Sequence, residues 1–386
     1  MEWLGHAELN FTHAPSPRKV QEKDGNVTDL LSICEKATPP CRLNPLLFNG
    51  HLQTMWTATK PAGPKIYYKR KIFDADHKIY HGTFAVDFAV EPFEAPEDPS
   101  LSRRTAYFTP EEFEHIGSDD HKPMLVVLHG LSGGSHEIYL RHTIAPLIGE
   151  GGWEVCVVNS RGCARSKITS GVLYNARATW DIRQTIKWLQ KTFPNRPLFG
   201  LGFSLGANML TNYIKVSSKI LQNSYIGKEV YLRVMGSALK ELAATHRTEL
   251  EKYSKIDVEA VMNITYLYEF DRLIQCPSWG IRRRIPFLAV HSTDDPIAVK
   301  EAIPYEEFKQ NPNTVLLTSS LGGHLCWFET SGDRWFTKPV ANFLNHLAFK
   351  TDLNDLRPLV NPNNNDHLAD GHGYIPMRRK LVIVED

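Results

Sequence analysis

Three side chains stand where acyl-transfer chemistry could use them: Ser204, an acid at Asp294 or Asp295, and His324. Ser204 is the centre of Gly202-Phe203-Ser204-Leu205-Gly206. The apolar run Leu198 to Leu201 before it reads as a buried strand, and Ala207 to Leu210 after it read as the first turns of a helix. A strand that turns abruptly into a helix strains its corner residue and projects that side chain outward. Glycines two before and two after relieve the crowding. The helix N-terminus supplies free N–H groups and a positive dipole end for a developing oxyanion. A serine hydroxyl is a poor nucleophile until a base removes its proton. Histidine does this near neutral pH, and a buried carboxylate fixes its tautomer and stabilises the imidazolium.

The acid is read as Asp295, which lies deeper in its turn and precedes Pro296, with Asp294 left as the alternative. His324 follows Gly322-Gly323, a pair suited to a loop folding tightly over the serine. Two backbone donors are needed for an oxyanion. Leu205 N–H follows the nucleophile. Leu131 N–H, or alternatively Ser132 N–H, would come from His129-Gly130-Leu131-Ser132 after an earlier strand. Cys163 and Cys326 lie in loops near this site with no evident base partner and read as inert. His51 reads as a structural residue rather than a catalyst. The three candidate residues follow strand ends in the order Ser…Asp…His, the order of the hydrolase elbow architecture.

The elements that must position them alternate. Met124 to Leu128 and Glu154 to Val158 are continuous apolar runs, as expected for strands covered on both faces. Helices are expected at about Ile138 to Glu150 and Ala176 to Thr192, the second with Trp180, Ile182, Ile186 and Leu189 on one face. The nucleophile helix should run to about Leu221. Ile285 to His291 and Thr314 to Ser319 read as later strands, with helices at Val299 to Gln310 and Trp335 to Leu347. This pattern predicts an α/β fold: a mostly parallel twisted sheet with helices on both faces. Upstream, Lys65 to Phe73 and Ile79 to Val90 give a hairpin signal, with Phe84, Val86 and Phe88 on one face. Residues 1–43 read as an N-terminal arm with one short helix around Asp29 to Glu35, and 44–350 as the main domain. Within it, 91–122 is an acidic surface insertion expected to be partly disordered, and 224–285 a helical cap. Residues 351–386 form a tail, weakly strand-forming at Lys380 to Val384.

Composition sets the outer limits. A net charge of +1 argues against a dedicated nucleic-acid binder. Six scattered cysteines without a C-x-x-C pair, one of them in the apparent strand at Cys156, point to a reduced, intracellular protein. No signal peptide is visible in Met1 to Asn10, and no apolar run reaches the length of a membrane span.

Several motifs together resemble one family. They are Asn44-Pro45 with Asn49-Gly50-His51-Leu52-Gln53-Thr54, His129 to Ser135, Asn159 with Arg161-Gly162-Cys163, Gly202 to Gly206, Asp294-Asp295-Pro296 and Gly322-Gly323-His324. In this order they resemble the AB hydrolase 4 family, the YheT-like branch of the α/β-hydrolases. The likeness is greatest to fungal members, which include medium-chain fatty acid ethyl ester synthase/esterases and monoacylglycerol lipases. The resemblance implies the triad Ser204, Asp295 and His324, with no metal or cofactor. It implies acyl transfer from an ester or acyl-CoA to water or an alcohol. A cytoplasmic or lipid-droplet location and peripheral contact with a lipid surface are the matching expectations.

One departure stands out. Family members carry an apolar core strand after the nucleophile helix, whereas here Thr211 to Ile214 passes directly into Lys215 to Lys219. Val230 to Met235 alternates and could be recruited. The expectation is that one strand is missing between the serine and aspartate strands, through a splice variant or deletion. The sheet would then close up or leave a gap. A catalytically impaired, lipid-binding pseudoenzyme is the rival reading that follows.

Overall fold

The computed structural model describes residues 4–57, 63–77, 80–94, 98–149, 151–171, 179–213, 240–253, 258–263 and 285–356. The strands before the nucleophile are β1 (Leu9–His13), β2 (Lys19–Gln21), β3 (Val27–Asp29), β4 (Tyr67–Asp74), β5 (Thr83–Val90), β6 (Thr105–Tyr107), β7 (Met124–Leu128), β8 (Glu154–Asn159) and β9 (Leu198–Gly202). After it come β10 (Phe287–Ser292) and β11 (Thr314–Ser319). The α-helices up to residue 213 are α1 (Leu30–Ala37), α2 (Gly50–Trp56), α3 (Pro110–Glu114), α4 (Ile138–Ile144), α5 (Trp180–Thr192) and α6 (Leu205–Tyr213).

Six strands form one sheet in the order β6-β4-β5-β8-β7-β9. β8, β7 and β9 run parallel, and β5 enters antiparallel beside β8. All five residues of β7 are buried, which is what an uninterrupted apolar strand requires of its setting. On one face, Phe84, Val86, Val126 and Val158 pack with Ile182 and Leu189 of α5. On the other, Leu125, Val127 and Val157 pack with Leu140 and Ile144 of α4 and with Leu344 of the helix Thr337–Asn345. The β4–β5 hairpin pairs Tyr67 with Val90 through to Asp74 with Thr83.

A second sheet has the order β1-β11-β10, with β10 and β11 parallel. The N-terminal arm therefore does more than lie on a finished core, because β1 closes one edge of this sheet against β11. α1 begins where expected, with Asp29 Oδ1 accepting the Ser32 N–H at 2.9 Å as its cap.

Four expectations need correction. The segment 91–122 is ordered over its described residues: β6 extends the sheet beside β4, and a Thr109–Glu112 capping box starts α3. Phe108 and Phe113 from it pack on the core. A three-residue strand and a five-residue helix are too short to give a periodic signal. α4 stops at Ile144 rather than Glu150, two residues before Pro146, which cannot donate into a helix. Pro304 likewise splits the expected helix at Val299 to Gln310 into a 3₁₀ turn, Lys300–Ala302, and a helix, Tyr305–Gln310. The last expected helix covers Thr337–Asn345 and ends in a π-type turn, His346–Lys350.

The cap is described only at 240–253 and 258–263, which are mainly helical (240–245, Arg247–Tyr253 and Val258–Met262) and bring Ala243, Leu250 and Val261 to the core. The start of the helix at Ala176, the end of α6 near Leu221, the alternating run Val230 to Met235 and the tail strand Lys380 to Val384 lie outside the described residues. Among the described residues no strand joins β9 to β10. β9 ends the larger sheet half-buried, β10 ends the smaller one half-buried, and β11 is buried throughout. Residues 214–239, where the strand expected to be missing would lie, are outside the described residues.

Candidate active site

Ser204 sits at the corner between β9 and α6 with φ of +50°, a left-handed conformation that a non-glycine residue adopts only under constraint. Phe203 N–H donates to Leu128 O at 3.0 Å and Gly206 N–H to Phe203 O at 2.8 Å, which fixes the turn against β7. Gly206 is required by closeness. A Cβ there would lie 2.3 Å from Leu128 O and 2.4 Å from His129 O.

The structure brings Ser204, His324 and Asp295 together. Ser204 Oγ lies 2.9 Å from His324 Nε2, and His324 Nδ1 lies 2.8 Å from Asp295 Oδ2. An ionised carboxylate only accepts, so Nδ1 carries the proton and Nε2 accepts from the serine hydroxyl. Asp295 is buried, and its other oxygen accepts the N–H groups of Ile297 and Ala298 at 2.8 and 3.0 Å. Burial pushes its carboxyl up. The His324 charge and hydrogen bond, with help from His291 and the Ala298 N–H, outweigh this and hold it below the usual carboxylate value. For His324 burial pushes the imidazole down, but the charge and hydrogen bond of Asp295 carry it above its ordinary 6.5.

Asp294, the alternative acid, has another task. Its Oδ1 accepts the Gly323 N–H at 2.9 Å and the Ser292 hydroxyl. Its own carbonyl lies against Gly50, where a Cβ would come within 1.9 Å. Burial raises the pKa of this carboxyl above its ordinary value. Asp294 thus holds the histidine loop, while Asp295 meets the histidine.

The motif around Gly50, to which sequence assigned no chemistry, holds the other side of that loop. Asn49 caps α2 by accepting the Leu52 N–H at 2.9 Å. On α2, Thr54 Oγ1 accepts the His324 N–H at 3.1 Å, and buried Gln53 accepts the Phe328 N–H at 2.8 Å. Arg334 reaches Leu325 O from the far end. Leu325 and Trp327 are both left-handed, at φ of +57° and +47°, so these partners hold a strained loop in place. The sequence signal available for this was the pair of helix-capping asparagines, Asn44 and Asn49, which place two short helical turns next to each other.

Gly130 adjoins the nucleophile: a Cβ on it would lie 3.6 Å from Ser204 Cβ. Its N–H donates to Tyr139 Oη at 2.8 Å. His129 spans two loops, with Nδ1 donating to Gly130 O at 2.6 Å and Nε2 accepting the Ser160 N–H at 3.0 Å. Burial drops its pKa to about 4, so it stays neutral and keeps both bonds. Leu131 follows Gly130 in this loop, and Leu205 opens α6. Ser132, the alternative donor, has φ of +50°.

Beneath that loop lies a buried polar network. Arg70 donates to both oxygens of Asp87, at 2.6 and 2.8 Å. Ser135 Oγ and Asn159 Nδ2 donate to Asp87 Oδ2 at 2.6 and 2.8 Å, and Ser135 N–H donates to Asn159 Oδ1 at 3.1 Å. Arg161 makes a forked pair with Asp181 at 2.7 and 2.8 Å and donates to the carbonyls of Tyr80 and His81. These residues went unassigned in the sequence because their partners lie on elements distant in the chain. His51 lies half-buried on α2. Cys163 is buried, and Cys326 is buried with Sγ donating to His324 O at 2.8 Å. Burial raises both thiols above their ordinary value. Among the described residues no group of three His, Cys, Asp or Glu side chains is placed to hold a metal ion.

A model of the α/β hydrolase fold matches residues 123–223, which span β7 to α6. The chain is 33% identical to monoacylglycerol lipase of Saccharomyces cerevisiae, over 81% of this chain and 82% of that protein. It is 26% identical to medium-chain fatty acid ethyl ester synthase/esterase 2 of the same yeast, over 78% and 84%. It is 26% identical to the putative esterase YheT of Escherichia coli, over 62% and 88%. The parallel centre of the sheet, the glycine-flanked corner at Ser204 and these relatives lead to one statement: the chain belongs to the YheT-like AB hydrolase family of α/β-hydrolases, a family of hydrolytic enzymes.

Proposed function

We propose that this protein is a serine esterase that works through an acyl-enzyme on medium-chain acyl esters. The observation that carries the reading is the relay Ser204–His324–Asp295, with both contacts under 3 Å. Ser204 Oγ attacks the acyl carbonyl carbon as His324 Nε2 takes its proton. The Leu131 and Leu205 N–H groups hold the oxyanion. Leu131 is taken as the second donor with Ser132 as the alternative, the Gly130 N–H before them being engaged by Tyr139. Collapse expels the alcohol, or the thiol of an acyl-CoA, with the proton returned by His324. Water then attacks the acyl-enzyme to give the acid, and ethanol in its place gives an ethyl ester. Asp295 orients the imidazole throughout. A monoacylglycerol substrate is the second reading, supported by the name of the 33% identical yeast relative.

A fluorophosphonate probe tests the mechanism. Labelling is expected in the wild-type chain and absent in Ser204→Ala. A folded wild-type chain that takes no label would favour the lipid-binding pseudoenzyme. Turnover of p-nitrophenyl esters of graded chain length, with and without ethanol and beside a monoacylglycerol, separates the substrate readings.

The pH profile follows from the two pKa directions. Only neutral His324 accepts a proton, so kcat/KM should rise with pH and level off, with its inflection above 6.5. Asp295→Asn removes the charge that raises the imidazole and leaves burial, which lowers it. The inflection should then move below 6.5. An unchanged inflection in Asp295→Asn would show that another group controls the profile.

A further inference from the structure

The hydroxyl of Tyr139 stands beside the nucleophile without a place in the relay. Tyr139 lies in the first turn of α4, and its ring packs on Phe203, the residue before Ser204, with centroids 5.0 Å apart. Phe203 meets Phe336 at 6.3 Å, and Phe336 meets Trp327 of the histidine loop at 5.4 Å. That packing needs only the ring. The oxygen accepts the Gly130 N–H at 2.8 Å, which among the described residues is the one hydrogen bond made by the Tyr139 side chain. Burial, with the charge of Glu137, holds its pKa well above the ordinary value, so the hydroxyl keeps its proton.

Gly130 is held from both sides. Its carbonyl accepts from His129 Nδ1 at 2.6 Å and from the Gly133 N–H at 3.2 Å. That carbonyl and the Leu131 N–H belong to one planar trans peptide and point opposite ways. Fixing the carbonyl therefore aims the Leu131 N–H. Fixing the Gly130 N–H stops the preceding peptide from turning, and it leaves oxyanion donation to the N–H groups further along the loop. Gly130 is buried, so its N–H would be costly to leave unpaired. Glycine permits the approach: a Cβ at 130 would lie 3.0 Å from Tyr139 Oη and 3.6 Å from Ser204 Cβ. Hydroxyl and nucleophile thus flank the same point of the loop.

We propose that Tyr139 is a positioning residue for the oxyanion hole. Through Gly130 its hydroxyl sets which backbone N–H of this loop faces the developing charge, and at what angle. The inference rests on the esterase reading, since acyl transfer through Ser204 is what develops that charge.

Tyr139→Phe keeps the ring and removes the one bond. Its kcat on a soluble p-nitrophenyl ester should fall by roughly 10–100-fold, less than the loss of about 10²–10³ for removing an oxyanion donor outright. KM should stay close to wild type. The pH inflection should not move, because His324 and Asp295 are untouched. End-point titration with the fluorophosphonate probe counts working sites, so the loss is read per labelled site. Fewer labelled sites with unchanged turnover per site would be a merely structural effect and would overturn the proposal, as would wild-type kcat in Tyr139→Phe. Gly130→Ala presses a methyl group on the hydroxyl and should lower kcat per site in the wild-type background. In Tyr139→Phe that contact is gone, so adding Gly130→Ala should cost little more, and losses that multiply overturn the proposal. Circular dichroism checks folding. If Tyr139→Phe does not fold, Gly130→Ala carries the test alone, and unchanged turnover per site in it overturns the proposal. A wild-type chain that takes no probe and turns over no ester removes the esterase reading and this proposal together, whereas an active wild type matched by Tyr139→Phe removes this proposal alone.

Discussion

Replacing Ser204 with alanine is expected to lower kcat for ester hydrolysis by roughly 10⁶-fold, the loss seen when the nucleophile of such a relay is removed. The hydroxyl at 2.9 Å from His324 Nε2 is the group whose proton the imidazole accepts, and alanine has none to give. His324→Ala should cost about as much, and the double variant should lose little more, because the two residues act as one unit. Asp295→Asn should cost roughly 10⁴-fold, because an amide no longer fixes the tautomer with Nδ1 protonated. The measurement is kcat on a soluble ester for the three single variants and the Ser204–His324 double. Losses that multiply in the double variant would mean that Ser204 and His324 do not work together.

The second large effect concerns stability. Asp87→Ala is expected to destabilise the protein by about 3–5 kcal/mol, the cost of breaking a buried ion pair from one side. Both partners have fully buried side chains, so the Arg70 guanidinium would lose two charge-assisted bonds where water does not reach. Ser135 and Asn159 would lose their shared acceptor as well. Because Ser135 belongs to the loop that carries Leu131, activity should fall in the protein that still folds. Substituting both partners, Arg70→Met with Asp87→Leu, should recover part of the stability by removing the stranded charge. Urea unfolding of the three variants gives the comparison. A single variant as stable as wild type would show that Asp87 does not anchor this network.

The corner at Ser204 was legible in the sequence because its requirements are local. An apolar strand, two glycines and a helix start lie within a dozen residues, and steric closeness at Gly206 explains the spacing. Choosing Asp295 over Asp294 rested on one turn, and the structure shows why neighbours differ. One faces the imidazole and the other faces the Gly323 N–H. The support for His324 was not legible. Gln53 and Thr54 act on residues about 270 positions away, and no pattern within α2 announces a partner so distant. The edge position of β1 was hidden for the same reason, since Leu9 pairs with Ser319. The β6 strand and α3 were hidden by shortness. The Arg70–Asp87 pair was hidden because two alternating strands look the same whether an inward charge is matched or exposed.

The members of the relay are carried on different sheets. Ser204 rides on the six-stranded sheet, whereas Asp295 and His324 follow adjacent, hydrogen-bonded strands of the three-stranded one. The acid–base spacing is therefore braced by a ladder. The nucleophile–base spacing crosses from one sheet to the other through an apolar cluster that holds Phe199, Leu201, Phe203, Leu288, Val290 and Phe336. Packing of this kind resists compression well, but it yields to sliding more easily than a row of backbone hydrogen bonds. Among the described strands, the His324–Asp295 pair is thus joined by a ladder of backbone bonds and Ser204 to its base by side-chain packing.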